Sequence, residues 1–121
     1  MLPKKILQSN KLNLKKYINN KIKIFDNPFD GSKNSDCIMT DVWLSMGDKN
    51  KNKIKYFKNF TINDKIIKNA SSKVIFMHCL PAKRGYEVTS QVLDSRNSVI
   101  LQQAQNRMFI QQAILIYVLK N

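Results

Sequence analysis

Three short stretches carry residue types that could do chemistry together: Asp41 with Ser45, Met46 and Gly47; His78-Cys79-Leu80-Pro81; and Asn106-Arg107. An aspartate beside a hydroxyl binds an ammonium, and Gly47 lets the backbone turn an amide toward a carboxylate. That set suits an α-amino acid. Arg107, expected in the first turn of a helix that opens at Gln103, adds its charge to a helix N-terminus and favours an anion or a polarised carbonyl. Cys79, lying between, is positioned to contact a reacting amine. Plainer roles fit the same residues one at a time. Asp41 can cap a turn, Ser45 can be simple loop, Arg107 can pair with an acid, and buried His and Cys are usually structural.

The elements that must position these groups follow from the apolar pattern. Residues 74–77 form an apolar run that ends abruptly in His78-Cys79, and Pro81 stops any continuation. β-Branched and aromatic members predict a strand over residues 73–78, buried on both faces as parallel sheets require. Its carboxyl end is where open α/β sheets bind ligands. A second strand over residues 37–41 delivers Asp41. Residues 22–25 and 98–101 read as two further strands. Ahead of them, Leu12, Leu14, Tyr17 and Ile18 fit a short amphipathic helix, and between the first two Asn27-Pro28 reads as an N-cap with proline at the first helical position. Residues 42–52 form a loop holding Trp43. Residues 53–60 should be helical with Ile54, Phe57 and Phe60 inward. Asn63 caps a stretch bearing Ile66, Ile67 and Ala70, and Thr89 caps a short helix through Leu93.

From Gln103 the chain reads as helix nearly to its end. Phe109, Ala113, Ile116 and Tyr117 mark one face, while Ile110, Ile114 and Val118 mark another. A helix apolar on more than one side must be covered on more than one side. Strands alternating with helices imply parallel βαβ units. The expected fold is therefore α/β, an open parallel sheet with flanking helices and a long C-terminal helix.

Composition narrows the function classes. The chain has 121 residues, a size for one modest core, and a formal charge of +13. That charge is lopsided, with a net of +10 over residues 1–73 and +3 over residues 74–121. Arginine, which reads bases and phosphates best, is confined to Arg84, Arg96 and Arg107. Lysine, asparagine and isoleucine together make 46 residues, as an AT-rich coding sequence produces at permissive surface sites. Solvated lysine therefore explains the charge better than a nucleic-acid partner does. The longest wholly apolar run, residues 113–119, is too short to span a bilayer, and Lys4, Lys5 and Lys11 leave no room for a signal core. No membrane partner and a cytoplasmic location are the expectations. Cys37 and Cys79 lack metal-ligand spacing and a single His cannot complete a zinc set, so neither metal nor cofactor is expected, nor a disulfide. The scattered Gly31, Gly47 and Gly85 form no phosphate loop.

Taken together, Asp41-Val42-Trp43-Leu44-Ser45-Met46-Gly47, Phe76-Met77-His78-Cys79-Leu80-Pro81-Ala82, Arg84-Gly85, Glu87-Val88 and Gln105-Asn106-Arg107 resemble ornithine carbamoyltransferase. The resemblance is clear from about Asp26 onward. It implies an incomplete Rossmann-like ornithine-binding domain over residues 1–121, with the carbamoyl-phosphate domain and its Ser-x-Arg-Thr motif absent and Met1 entering in mid-domain. It also implies roles. Asp41 and Ser45 would hold the ornithine α-amino group, and the Met46 backbone would bind its carboxylate. Cys79 would lie beside the attacking side-chain amine. The Leu80 carbonyl would bind the carbamoyl nitrogen, and Arg107 would polarise the carbamoyl oxygen. His78, Pro81 and Gly47 would support the site. The implied partners are L-ornithine, carbamoyl phosphate, the missing N-terminal domain and, when complete, a homotrimer, in arginine biosynthesis or urea-type metabolism. Where the family has Glu-Asn-Arg, this chain has Gln105-Asn106-Arg107, a change expected to do modest harm. The chain alone is expected to be poorly soluble or molten, and inactive. Competing readings are a non-catalytic amino-acid-binding remnant, a putrescine or N-acetylornithine carbamoyltransferase, and a basic nucleic-acid or anionic-surface binder.

Overall fold

A computed structural model describes Met1, Pro3, residues 22–44, Gly47 and residues 51–120. The predicted helix at Leu12–Ile18 lies outside the described residues, as do Ser45 and Met46.

Among the described residues, two parallel strands make the sheet, β1 (Cys37–Thr40) and β2 (Ile75–His78), in the register Cys37↔Ile75, Ile38↔Phe76, Met39↔Met77 and Thr40↔His78. The described helices surround or extend it: α1 (Pro28–Ser32), α2 (Ile54–Phe57), α3 (Asp64–Asn69), α4 (Ser90–Leu93) and α5 (Ile100–Lys120). The α/β class with a long C-terminal helix is as expected from the sequence. Helix starts follow their caps. Asn27 Oδ1 accepts the Phe29 N–H at 2.9 Å with Pro28 leading α1, and Asn63 Oδ1 accepts the Ile66 N–H at 3.1 Å to open α3. Thr89 does occupy the N-cap of α4, but its hydroxyl makes no capping bond. The expected helix over residues 53–60 is split, with 3₁₀ turns at Lys51–Lys53 and Lys58–Phe60 on either side of α2.

The core lies on one side of the strand pair. Ile38 and Phe76 point into it and meet Ile62, Ile66 and Ile67 from the α3 region, Val74, and Val88, Val92 and Leu93 from the α4 region. Phe76 is wholly buried, whereas Met39 is 58% and Ile75 39% exposed on the other face. The expectation of a strand buried on both faces is therefore corrected. Burial alternates along β2, because among the described residues covering elements meet only one side.

Two further expectations change. The strand at residues 22–25 reduces to an isolated bridge at Ile22. The strand at residues 98–101 reduces to a parallel bridge between Ser98 and Phe76, since α5 has already begun at Ile100. Val99-Ile100-Leu101 satisfies either period, and the helix wins it. Arg107 consequently stands about two turns into α5 rather than in its first turn, beyond the reach of a helix-terminus field. α5 has no buried residue along its 21 positions, with Ile110 61%, Ile114 56% and Tyr117 72% exposed. Among the described residues nothing covers the multi-sided apolar helix anticipated from the sequence. None of the described helices is long and apolar enough to cross a membrane.

Candidate active site

Parallel pairing places the carboxyl ends of β1 and β2 side by side, so Asp41 and Cys79, each one residue past its strand, emerge next to each other. Cys79 Sγ donates to Asp41 Oδ1 at 3.0 Å, and the same oxygen accepts the Val42 N–H at 2.7 Å. The thiol hydrogen bond, then that of Val42, holds the Asp41 carboxyl below the usual carboxylate range, with burial opposing. The same bond pushes the Cys79 thiol up, with desolvation adding to it and the nearby Arg107 charge opposing. Asp41 is thus a carboxylate and Cys79 a protonated donor in the free chain.

Past Cys79 the backbone reverses. Leu80 takes a left-handed φ of 44° and the Leu80–Pro81 peptide is cis. A non-glycine residue in that region costs about 1–2 kcal/mol, so neighbouring contacts must hold it. They centre on His78, which is 1% exposed. Its Nδ1 accepts the Leu80 N–H at 2.9 Å, and its Nε2 lies 3.4 Å from Oε1 of the equally buried Glu87. Glu87 in turn accepts the Lys83 N–H. An imidazole accepting at Nδ1 carries its proton at Nε2, which is buried and has no hydrogen-bond partner among the described residues. His78 thus ties the end of β2 to the turn at Leu80. Glu87 is the residue that reasoning from the sequence missed as a participant. A lone acid nine positions after the histidine gives no periodic signal.

A narrow cleft lined by His78, Cys79, Leu80, Gln103, Ala104 and Arg107 brings the third stretch to the other two. Asp41 also lines a cavity of about 300 Å³, together with Met39, Thr40, Val42, Trp43, Phe57 and Ile62. Trp43 stacks on Phe57 with ring centroids 5.8 Å apart and meets Tyr86 edge-on at 6.1 Å, tying the loop after β1 to α2 and to the turn after β2. Gly47 has φ 89°, a left-handed backbone that favours glycine. Asp41, His78, Cys79, Leu80 and Arg107 thus converge on one sheet edge.

Residues 1–118 match the family described as "Aspartate/ornithine carbamoyltransferase, Asp/Orn binding domain". The chain belongs to this family. It is 45% identical over 109 residues to the ornithine carbamoyltransferase of Methanococcus vannielii, covering 88% of this chain and 36% of that protein. Over 96 residues it is 49% identical to the catabolic ornithine carbamoyltransferase of Thermoplasma acidophilum, covering 78% of this chain and 32% of the relative. Among solved structures, the Pyrococcus furiosus ornithine carbamoyltransferase superposes with a TM-score of 0.67 at 46% identity, over 74% of this chain and 29% of that one. The anabolic enzyme of Campylobacter jejuni gives 0.71 at 37% identity, over 78% and 31%. The chain thus spans about a third of the length of the carbamoyltransferases it matches.

Proposed function

We propose that this chain is the ornithine-binding part of an ornithine carbamoyltransferase, active when joined to a carbamoyl-phosphate-binding half. The observation that carries the reading is the Asp41–Cys79 pair, 3.0 Å apart across the ends of adjacent parallel strands, with the Arg107 charge beside it. A carboxylate and a thiol donor facing a cation make a site for an amine attacking a polarised carbonyl.

In this reading Asp41 and Ser45 take the α-ammonium of L-ornithine and the Met46 backbone its carboxylate. Cys79 contacts the side-chain amine. The Leu80 carbonyl, turned by its left-handed backbone, accepts from the carbamoyl nitrogen, and Arg107 takes the carbonyl oxygen. The amine lone pair forms the new C–N bond, charge collects on the oxygen beside Arg107, and the C–O bond to phosphate breaks with its electrons leaving on phosphate. The nitrogen then loses its proton, giving L-citrulline. Catalysis is by positioning and charge stabilisation, in arginine biosynthesis or urea-type metabolism. The complete protein is read as a homotrimer, with α5 covered by the carbamoyl-phosphate-binding half.

Co-expression with the carbamoyl-phosphate half of an ornithine carbamoyltransferase tests the proposal. Citrulline should form from ornithine and carbamoyl phosphate in the assembled protein and not from the chain alone. Product from putrescine or N-acetylornithine in place of ornithine, or no product from the assembly, would overturn it.

A further inference from the structure

β2 has two edges, and one pairs with β1. Along the other, Phe76 donates its N–H to the Asn97 carbonyl at 2.7 Å and accepts the Val99 N–H at 3.0 Å, forming the bridge to Ser98. In a parallel ladder the next donor on that edge is two residues further, at His78. The neighbouring strand has ended by then. α5 starts at Ile100, and the Val99 carbonyl is taken by the Gln103 N–H at 2.9 Å. The Gln103 side chain fills the vacant place instead, its Oε1 accepting the His78 N–H at 2.9 Å.

We propose that Gln103 is a positioning residue: by completing the edge of β2 with its side chain, it fixes α5 in the rotation that holds Arg107 against Cys79 and Leu80. This rests on the reading of Arg107 as the group that polarises the carbamoyl oxygen. Among the described residues none of α5 is buried, and Ile100 is its residue packed partly against the core. A polar bond close to that apolar contact fixes the rotation of the first turns of the helix about their axis. Arg107 stands four residues beyond Gln103, on the same face and about 6 Å along the axis. A slip of one residue rotates the helix by about 100° and carries Arg107 off the cleft. The bond also satisfies the backbone donor between Met77 and Cys79, so loosening it loosens the strand end that presents the thiol.

Two readouts test this on the chain itself, without turnover. His78 is the sole histidine, so ¹⁵N-histidine labelling gives one backbone amide signal that reports the bond directly. Gln103→Met should speed its hydrogen exchange about tenfold, while Gln103→Glu, which keeps an acceptor, should leave it protected. In a Cys37→Ser background only Cys79 alkylates, and the ratio of its rates with anionic iodoacetate and neutral iodoacetamide reports the nearness of Arg107. Arg107→Gln sets the floor of that ratio, and Gln103→Met should fall to it. Should Gln103→Met melt early, Gln103→Ala removes the acceptor with less bulk. A wild-type ratio already at the floor, or a ratio unmoved by loss of the Gln103 acceptor, overturns the proposal. Absence of citrulline from the assembled wild type would instead strike the functional reading.

Discussion

Truncating Phe76 to alanine tests the one-sided burial of the strand pair. The side chain is wholly buried against Ile38, Val74 and Val88, so its removal forfeits a full transfer term and leaves a cavity. Phe→Ala at such sites costs about 3–5 kcal/mol. A chain of this length has on the order of 6–18 kcal/mol in total, and its uncovered helix and sheet face place it toward the lower end. The substitution should therefore remove roughly half of the stability or more, moving the urea midpoint down by about 2 M. Met39→Ala, at a position 58% exposed on the opposite face, should cost under about 1 kcal/mol. The assay is urea unfolding of the two variants and the parent, followed by the fluorescence of Trp43, the sole tryptophan. Equal losses would refute the reasoning, since they would mean that both faces of the strands are packed in the chain.

Asp41→Asn should speed Cys79 alkylation at neutral pH in a Cys37→Ser chain and lower the pH at which the rate rises, because the carboxylate that raises the thiol is gone. An unchanged rate–pH profile would count against the pair. The linkage runs in two directions. Asp41, depressed in the fold, stabilises it above the ordinary carboxylate range and loses that contribution as pH falls through its lowered value, while Cys79 loses its own as pH rises through its raised one. An urea-midpoint series in pH should show both flanks weakened in the parent and flattened in Asp41→Asn. Arg107→Gln in the assembled protein should cut kcat by about 10²–10³ with the KM for ornithine little changed, as loss of an oxyanion donor does. Ile110→Lys with Ile114→Lys, both exposed here, should shift the urea midpoint of the chain itself little, yet abolish assembly with the carbamoyl-phosphate half on size-exclusion chromatography.

What the sequence disclosed, it disclosed through local rules. Asn27-Pro28 and Asn63 announce helix starts because their side chains take backbone donors two or three residues on, and Cys37 to Thr40 and Ile75 to His78 stand out as short apolar strands. The meeting of Asp41 with Cys79 was legible because parallel strands put their carboxyl ends on one edge. Two kinds of feature were not. An apolar run such as Val99-Ile100-Leu101 fits strand and helix alike, so the sequence pattern starts α5 three residues late and implies for Arg107 a helix-terminus field that it does not have. Bonds from a side chain to a distant backbone, His78 to Gln103 above all, leave no pattern in spacing. The two-sided burial expected of β2 failed for a different reason. Hydrophobicity records what a face requires, not whether the described residues supply it.

The protonation states at the sheet edge also decide what Cys79 does. A nucleophilic cysteine needs its thiolate, and sites that use one lower the thiol pKa with a cation or a helix N-terminus. Here the nearest strong influence is the Asp41 carboxylate at 3.0 Å, which acts the other way, and Arg107 offsets it only in part. The arrangement therefore disfavours a carbamoyl-cysteine intermediate and favours a thiol that donates to, or stands beside, an arriving amine. In the proposed reaction, an α-ammonium arriving at Asp41 would meet the carboxylate that holds the Cys79 thiol, and binding there would weaken that restraint as the side-chain amine comes near. Under the proposed function, ornithine should change the Cys79 alkylation rate in the assembled protein, and mass spectrometry should find no carbamoyl adduct on Cys79 after mixing with carbamoyl phosphate alone. An adduct there would reverse the argument and make the cysteine a covalent catalyst.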